Sequence, residues 1–306
     1  MKILVFGSGG QVGREVCRAA WPPRYAILPL DRRAIDITDS AGVDAVLARE
    51  TPDLAINLAA YTAVDRAETE PDTAWAVNCA GAAHIAAACS ERATSLIHLS
   101  TDYVFDGRKA GPYREEDAVN PLGVYGRSKE AGERAVRAAM GQHVILRTAW
   151  VYGAFGANFV KTMLRLAAEQ SALRVVADQR GCPTAAADIA AALIVIAGYI
   201  ERCEAKWGTY HLAGDDAVSW HGFAEAIVDL ATPWLATHPR VEPITTEQYP
   251  TPAQRPMNSV LGCAKIGETF EISSSPWRRS LATVIHELVD RRSPPDNAMV
   301  ATRPLE

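Results

Sequence analysis

The run KILVFGSGGQVGREV, residues 2–16, sets Gly7, Gly10 and Gly13 three residues apart, between an apolar stretch and a helical pattern that opens at Gln11. A chain turning this tightly from strand into helix needs residues without a Cβ. The helix start then offers free backbone N–H groups and the positive end of a dipole to a pyrophosphate. Such a junction belongs to a β-α-β unit and points to a parallel sheet, although the same glycines also serve a turn that holds no ligand.

The chain continues in that rhythm. YAILPL, DLAINL, SLIHLS and HVILRTAW alternate with helical patterns from Ser40, Pro71 and Tyr125. Alternation of this kind predicts an α/β fold, a Rossmann-like doubly wound parallel sheet, and the uniformly apolar strands fit a sheet covered on both faces. After Trp150 the pattern loosens, with helices expected near Asn158 to Gln170, Ala185 to Arg202 and Ser219 to Leu235. The expected organisation is a dinucleotide-binding domain over 1–150 and a smaller C-terminal α/β substrate domain over 151–292, some of whose segments return to the Rossmann sheet. TTEQYPTPAQRPMN reads as a shaped loop, and SPPDNAMVATRPLE, 293–306, as a flexible tail.

Composition narrows the function. The 306 residues carry a formal charge of -5 with no basic run, which excludes binding driven by phosphate neutralisation of a nucleic acid. Six cysteines are scattered without a CxxC pair, so neither a disulfide framework nor a structural zinc is expected, and the reading is cytoplasmic. No membrane partner is expected either. The apolar run at the N-terminus stops at Gly7, and AAADIAAALIVIAGYI carries Asp188 and falls short of the roughly 20 residues a bilayer needs, so it reads as a buried helix.

VYGRSK sets Tyr125 and Lys129 four residues apart, on one face of a helix. The fourth predicted strand delivers Ser100 and Thr101 to the carboxyl edge of the sheet, where open α/β folds bind their ligands. A hydroxyl, a phenol and an ammonium together suit reduction of a ketone by a nicotinamide. Hydride arriving at the carbonyl carbon leaves an alkoxide that an acid within reach must protonate. A free phenol has a pKa of about 10, and a neighbouring ammonium is expected to favour the phenolate and bring it down. Each residue also has a plain reading, as strand-end turn, amphipathic helix residue and solvated charge. Asp31, after the second strand, suits a ribose hydroxyl or a simple turn, and Arg32 beside it suits the 2′-phosphate of NADP.

The segments GSGGQVG, NLAAYTAVDRAE, STDYVFDG, PLGVYGRSKEAGE, ILRTAWVYG, NFVKTMLRLA and YPTPAQRPMNSVL together resemble the dTDP-4-dehydrorhamnose reductase family of extended short-chain dehydrogenases/reductases, from about Lys2 to Leu288. The resemblance implies reduction of the 4-keto group of dTDP-6-deoxy-L-lyxo-4-hexulose to dTDP-L-rhamnose, with NADPH as cofactor and NADH as the alternative. It casts Tyr125 as proton donor, Lys129 as its partner and ribose ligand, and Thr101 as the hydroxyl that tunes the pair. It places Asp102 and Trp150 against the sugar nucleotide, and Gly10, Gln11, Val12, Asp31, Asp36, Ile37, Ala60, Tyr61 and Thr62 along the dinucleotide. Trp150 also suits core packing. Arg255 suits either the substrate diphosphate or a structural salt bridge.

Some similar proteins join subunits through a metal held by glutamates. Glu15 is present, but the position after GCPT reads Ala187, with Asp188 beside it, so no metal is expected. A monomer or homodimer fits. Other readings are a different NDP-sugar reductase, an epimerase or dehydratase that keeps its cofactor, or a non-catalytic NADP-binding subunit similar to the regulatory subunit of methionine adenosyltransferase.

Overall fold

The computed structural model describes residues 1–236 and 238–290, so the tail expected at 293–306 lies outside the described residues. The chain opens with β1 (Lys2–Phe6), α1 (Gln11–Arg18), β2 (Ala26–Leu30), α2 (Ser40–Glu50) and β3 (Leu54–Asn57). Next come α3 (Val64–Ala67), α4 (Pro71–Trp75), α5 (Ala82–Glu91), β4 (Ser95–Thr101), α6 (Val124–Ala139) and β5 (His143–Thr148).

The remainder is built from β6 (Val151–Tyr152), α7 (Phe159–Glu169), β7 (Ala172–Val176), β8 (Arg180–Gly181), β9 (Thr184–Ala185) and α8 (Ala186–Glu201). It ends with β10 (Gly208–His211), β11 (Val218–Ser219), α9 (Trp220–Ala231), β12 (Arg240–Ile244), α10 (Ala264–Phe270) and α11 (Trp277–Asp290).

Six strands form one sheet in the order β10-β5-β4-β3-β1-β2, every pairing parallel. After β2 the chain crosses to the other side of β1 to lay down β3. The strand order therefore reverses there, and a crevice opens beyond the carboxyl ends of β1 and β3. Ile3 to Phe6 and Leu54 to Ile56 are fully buried, as strands covered on both faces must be. β2 lies at the edge, which is why Pro29, lacking an N–H, is tolerated within it.

Alternate side chains feed two cores. Ile3, Val5, Ile56 and Ile97 meet α1, α8 and α10, while Leu4, Phe6, Ala55 and Leu96 meet α2, α5 and α6. The apolar 185–202 segment is accordingly a buried helix against α1. No helix among the described residues is long and apolar enough to cross a membrane. β10 joins the sheet beyond β5, although it falls after Trp150 in sequence. A separate core gathers Tyr152, Leu164, Phe223, Trp277 and Leu281 from α7, α9, α11 and β6, beside the parallel pair β7–β12.

One expected element differs. The run from Pro71 to Glu91 is helical throughout, but Ala76–Gly81 widens into a π turn between α4 and α5. Apolar spacing does not register one extra residue per turn. Within the widened turn, Asn78 is buried and Gly81 abuts Ile37, where a Cβ would stand 2.6 Å from the Ile37 side chain.

α6 is tied down at several points. Its N-cap is Gly123, which has no side chain to cap with, and Glu68 from the α3 segment supplies the acceptor for Val124 N at 2.7 Å. Glu130–Arg134 and Glu133–Arg137 pair along its length. Beneath it, the fully buried Glu133 carboxylate accepts from Ser100 Oγ at 2.6 Å and from Arg147 at 2.9 and 2.7 Å.

Candidate active site

The glycine turn is shaped by contact. Gly7 has φ +78°, and a Cβ there would sit 2.5 Å from Ala59 N; at Gly13 it would sit 2.2 Å from Gly7 O. Both positions therefore exclude any larger residue. Beyond them lies a cavity of about 510 Å³ lined by Gly7, Gly10, Asp31, Arg32, Asp36, Ile37, Ala60 and Tyr61. All eight were expected beside a dinucleotide, Asp36, Ile37, Ala60 and Tyr61 from the family resemblance alone. Asp31 accepts from Arg33 N and Ala34 N at 2.9 and 3.0 Å, so its carboxylate also braces the turn after β2. Asp36 is held below its usual range by the amide and hydroxyl of Thr38.

The other residues named for the dinucleotide stand outside that cavity's lining. Val12 packs in the core, and Gly13 is used for close approach to the turn. Thr62 is exposed on the loop after β3. Gln11 donates from Nε2 to Val151 O at 3.0 Å and accepts from Asn158 Nδ2 at 2.6 Å. Its side chain joins two parts of the chain, because Asn158 is also the N-cap of α7.

Tyr125 and Lys129 lie on the buried side of α6, and Thr101 ends β4 against them. Burial pushes the Tyr125 phenol up to about 12, and the Asp102 charge adds to that. The Thr101 hydroxyl pulls the other way. Tyr103 meets the Tyr125 ring edge-on at 5.5 Å between centroids. Lys129 donates from Nζ to Leu99 O at 2.7 Å, and burial brings it down to about 8. Lys129 is turned onto a strand carbonyl, so Thr101 is the neighbour that favours the phenolate, and burial outweighs it.

Thr101 Oγ1 donates to Asp102 Oδ1 at 3.0 Å and accepts from Tyr103 N at 3.1 Å. Asp102 is 2% exposed, and burial raises its carboxyl to about 6 against the pull of Ser259 and Thr101.

The two residues left open on the sugar side both have protein partners. Trp150 follows β5 in the left-handed region at φ +47° and stacks face to face on Trp220, centroids 3.5 Å apart. Its indole fills the space a Cβ on Gly181 would need. The Arg255 guanidinium forms a two-pronged pair with Asp65 at 3.1 and 2.8 Å and also reaches Thr251. It is thus committed to a protein carboxylate. Its outer side still borders a cavity of about 600 Å³, shared with Tyr103, Phe159, Trp220 and Tyr249.

Sequence reasoning missed Asn78 and Ser128. Asn78 accepts from Tyr61 N at 2.8 Å and donates to Tyr61 O at 3.1 Å and Ser128 Oγ at 3.0 Å. One amide therefore links the cofactor-side loop to the helix turn between Tyr125 and Lys129. An asparagine inside an alanine-rich helical run was the available signal, since its side chain competes with helix hydrogen bonding. The glutamate-held metal seen in some similar proteins does not fit. Glu15 is bound by Arg18, which also reaches Glu287; Ala187 has no side-chain oxygen, and Asp188 accepts from Ser280 Oγ.

The family model described as RmlD substrate binding domain matches residues 1–290. A dTDP-4-dehydrorhamnose reductase of Aggregatibacter actinomycetemcomitans is 45% identical over 287 residues, covering 92% of this chain and 98% of that protein. The crystal structure of a dTDP-4-dehydrorhamnose reductase from Clostridium acetobutylicum superposes with a TM-score of 0.89 at 37% identity, covering 94% of this chain and all of that one. One from Bacillus anthracis, in complex with NADP, gives 0.87 at 35% identity, with 94% and 99% covered. On these grounds the chain belongs to the dTDP-4-dehydrorhamnose reductase family.

Proposed function

We infer that this chain is an NADPH-dependent oxidoreductase that reduces the 4-keto group of dTDP-4-dehydro-L-rhamnose to give dTDP-L-rhamnose. The observation that carries the reading is the meeting of Tyr125, Thr101 and Lys129 at the carboxyl edge of the sheet, in a chain 45% identical across nearly its whole length to a reductase of that name.

The residues present fit the dinucleotide. Gly7 and Gly13 keep the turn low, the start of α1 faces the phosphates, and Arg32 lines the cavity where a 2′-phosphate would lie. Bound there, the reduced nicotinamide supplies hydride. Tyr125 holds its proton and gives it to the alkoxide oxygen as it forms. Thr101 fixes the phenol's direction. Lys129, anchored on Leu99 O, completes the polar wall and would hold the nicotinamide ribose. Tyr103, Trp220 and the Arg255–Asp65 pair shape the sugar-nucleotide side, where Asp102 and Trp150 are assigned to the substrate. The chain works as a monomer or homodimer, and the scattered free thiols support a cytoplasmic setting.

NADPH oxidation on a panel of nucleotide 4-ketosugars tests this, with product stereochemistry read by NMR. Stoichiometric oxidation with the dTDP-linked ketosugar and a rhamno product is expected. Turnover without net loss of NADPH would instead identify an epimerase or dehydratase.

A further inference from the structure

Two polar side chains lie where the covered sheet favours apolar ones. Asn57 ends β3 and His98 stands opposite it on β4, each 1% exposed. Their neighbours in the same row are Phe6 on β1 and Ile145 on β5, both buried in the core under α5 and α6. The two polar groups turn to each other, with Asn57 Nδ2 at 3.1 Å from His98 Nδ1.

The direction of that bond is fixed from the other end of the amide. Asn57 Oδ1 accepts from Ala59 N at 3.1 Å, so the amide N–H is what faces His98, and the ring nitrogen that receives it carries no hydrogen. His98 is uncharged, because burial, followed by the charge of Lys129, holds its pKa well below the ordinary value against the pull of Glu133. Its one ring hydrogen is therefore on Nε2, and Nε2 has no hydrogen-bond partner. A buried N–H without a partner is costly, and an apolar side chain of similar size would avoid that cost. What the apolar side chain could not supply is the acceptor that Asn57 uses.

That acceptor is felt at the cofactor turn. β3 ends at Asn57, so the ladder no longer serves Ala59 N, and the Asn57 side chain takes it instead. The backbone of Leu58 and Ala59 bends onto Gly7, where a Cβ would lie 2.5 Å from Ala59 N and 2.7 Å from Leu58 C. Leu58, Ala59, Ala60 and Tyr61 then form one wall of the cavity of about 510 Å³. Asn78 holds the far end of this wall through the Tyr61 backbone, and Asn57 holds the near end. We propose that His98 is a positioning residue for the dinucleotide: through Asn57 it fixes the Ala59 N–H, and with it the wall against which the cofactor binds.

This inference shares with the reductase reading the placing of NADPH in that cavity, and the test separates the two. NADPH affinity is read by fluorescence titration for the wild type, His98→Leu, His98→Asn and His98→Gln, with thermal melts, kcat and the ketosugar KM at saturating NADPH recorded for each. His98→Leu should weaken NADPH binding about five- to twentyfold and leave the ketosugar KM within about twofold. Asparagine sets an amide oxygen where Nδ1 stands, so His98→Asn should return to within about threefold of the wild type. Glutamine sets its amide near the place of Nε2, so His98→Gln should bind NADPH as weakly as His98→Leu. In an Asn57→Ala background, His98→Leu should cost no further affinity. A His98→Leu enzyme that melts earlier yet binds NADPH as the wild type does overturns the proposal, and so does an undiminished further loss in the Asn57→Ala background. If His98→Leu fails to fold, equal NADPH affinities for His98→Asn and His98→Gln overturn it alone. A wild type that binds NADPH but turns over no ketosugar overturns the reductase reading and not this one; a wild type that binds no NADPH overturns both.

Discussion

A phenol pushed up to about 12 keeps its proton at neutral pH, so Tyr125 is in the state that its proposed role as proton donor needs. Its strength as a donor comes from the developing alkoxide, a still stronger base, rather than from a pre-formed phenolate. Replacing Tyr125 with Phe removes the donor and little else, because the ring packs in a small aromatic cluster with Tyr103. Turnover should fall by about two to four orders of magnitude while NADPH affinity, read by fluorescence titration, stays within a few-fold. Near-normal turnover would remove Tyr125 from the mechanism. The placement of Tyr125 and Lys129 on one helix and of Thr101 at a strand end was legible because a spacing of four and a hydroxyl after an apolar run are local facts. Where the Lys129 ammonium points was not, since Leu99 O lies on another element and the choice between it and the phenol is tertiary.

At the scale of elements, α6 is held to the sheet by a buried charge. Arg147, Ser100 and Arg137 hold the Glu133 carboxyl down at about 2 despite its full burial, against an ordinary value of 4.5. A carboxyl depressed by folding contributes stability that is complete above its unfolded pKa and is lost as pH falls through the folded one. The contribution of Glu133 is therefore present above about pH 4.5 and drains away toward about pH 2. Glu133→Gln strands Arg147, which is 3% exposed, and should cost about 3–5 kcal/mol near pH 7 in denaturant unfolding. The gap between variant and wild type should then narrow as pH is lowered through that window; a constant gap would mean that packing, not charge, is what Glu133 supplies. Periodicity revealed α6 and its Glu–Arg spacing, but it could not show which glutamate faces inward, because Glu130 and Glu133 sit three apart on adjoining stripes. The π turn before α5 was hidden for a related reason: its cause is the fit of Asn78 and Gly81 against distant neighbours.

Across the whole molecule, the segment from Tyr249 to Leu261 does most of the joining. Arg255 and Ala253 N grip Asp65 in α3, Asn258 reaches the carbonyls of Lys109 and Gly111, and Ser259 N donates to Arg180 O. If the Arg255–Asp65 pair is mainly a structural clasp, Arg255→Ala and Asp65→Asn should each raise KM, and the double variant should be little worse than the worse single. The coupling expected is about 1–3 kcal/mol. Additive losses would instead assign Arg255 directly to the diphosphate. The parallel sheet was legible because glycine turn, apolar strands and helical patterns follow one another along the chain, whereas its strand order is set by tertiary crossovers that no local pattern shows. Of the second core only the helices near Asn158 to Gln170 and Ser219 to Leu235 were legible; α11 was not expected, and the strands are short and pair across long stretches of sequence.

The Gln11 clasp sets a limit on how this enzyme breathes. Gln11 opens α1 directly after the glycine turn, yet its amide is bonded to Val151 and to the residue that caps α7. A wide swing of the second core away from the sheet would have to break both bonds at the mouth of the nucleotide crevice, at about 0.5–1.5 kcal/mol each, before any packing is lost. Entry by way of the cavity that Tyr249 borders, with its ring standing in solvent, would require neither bond to break.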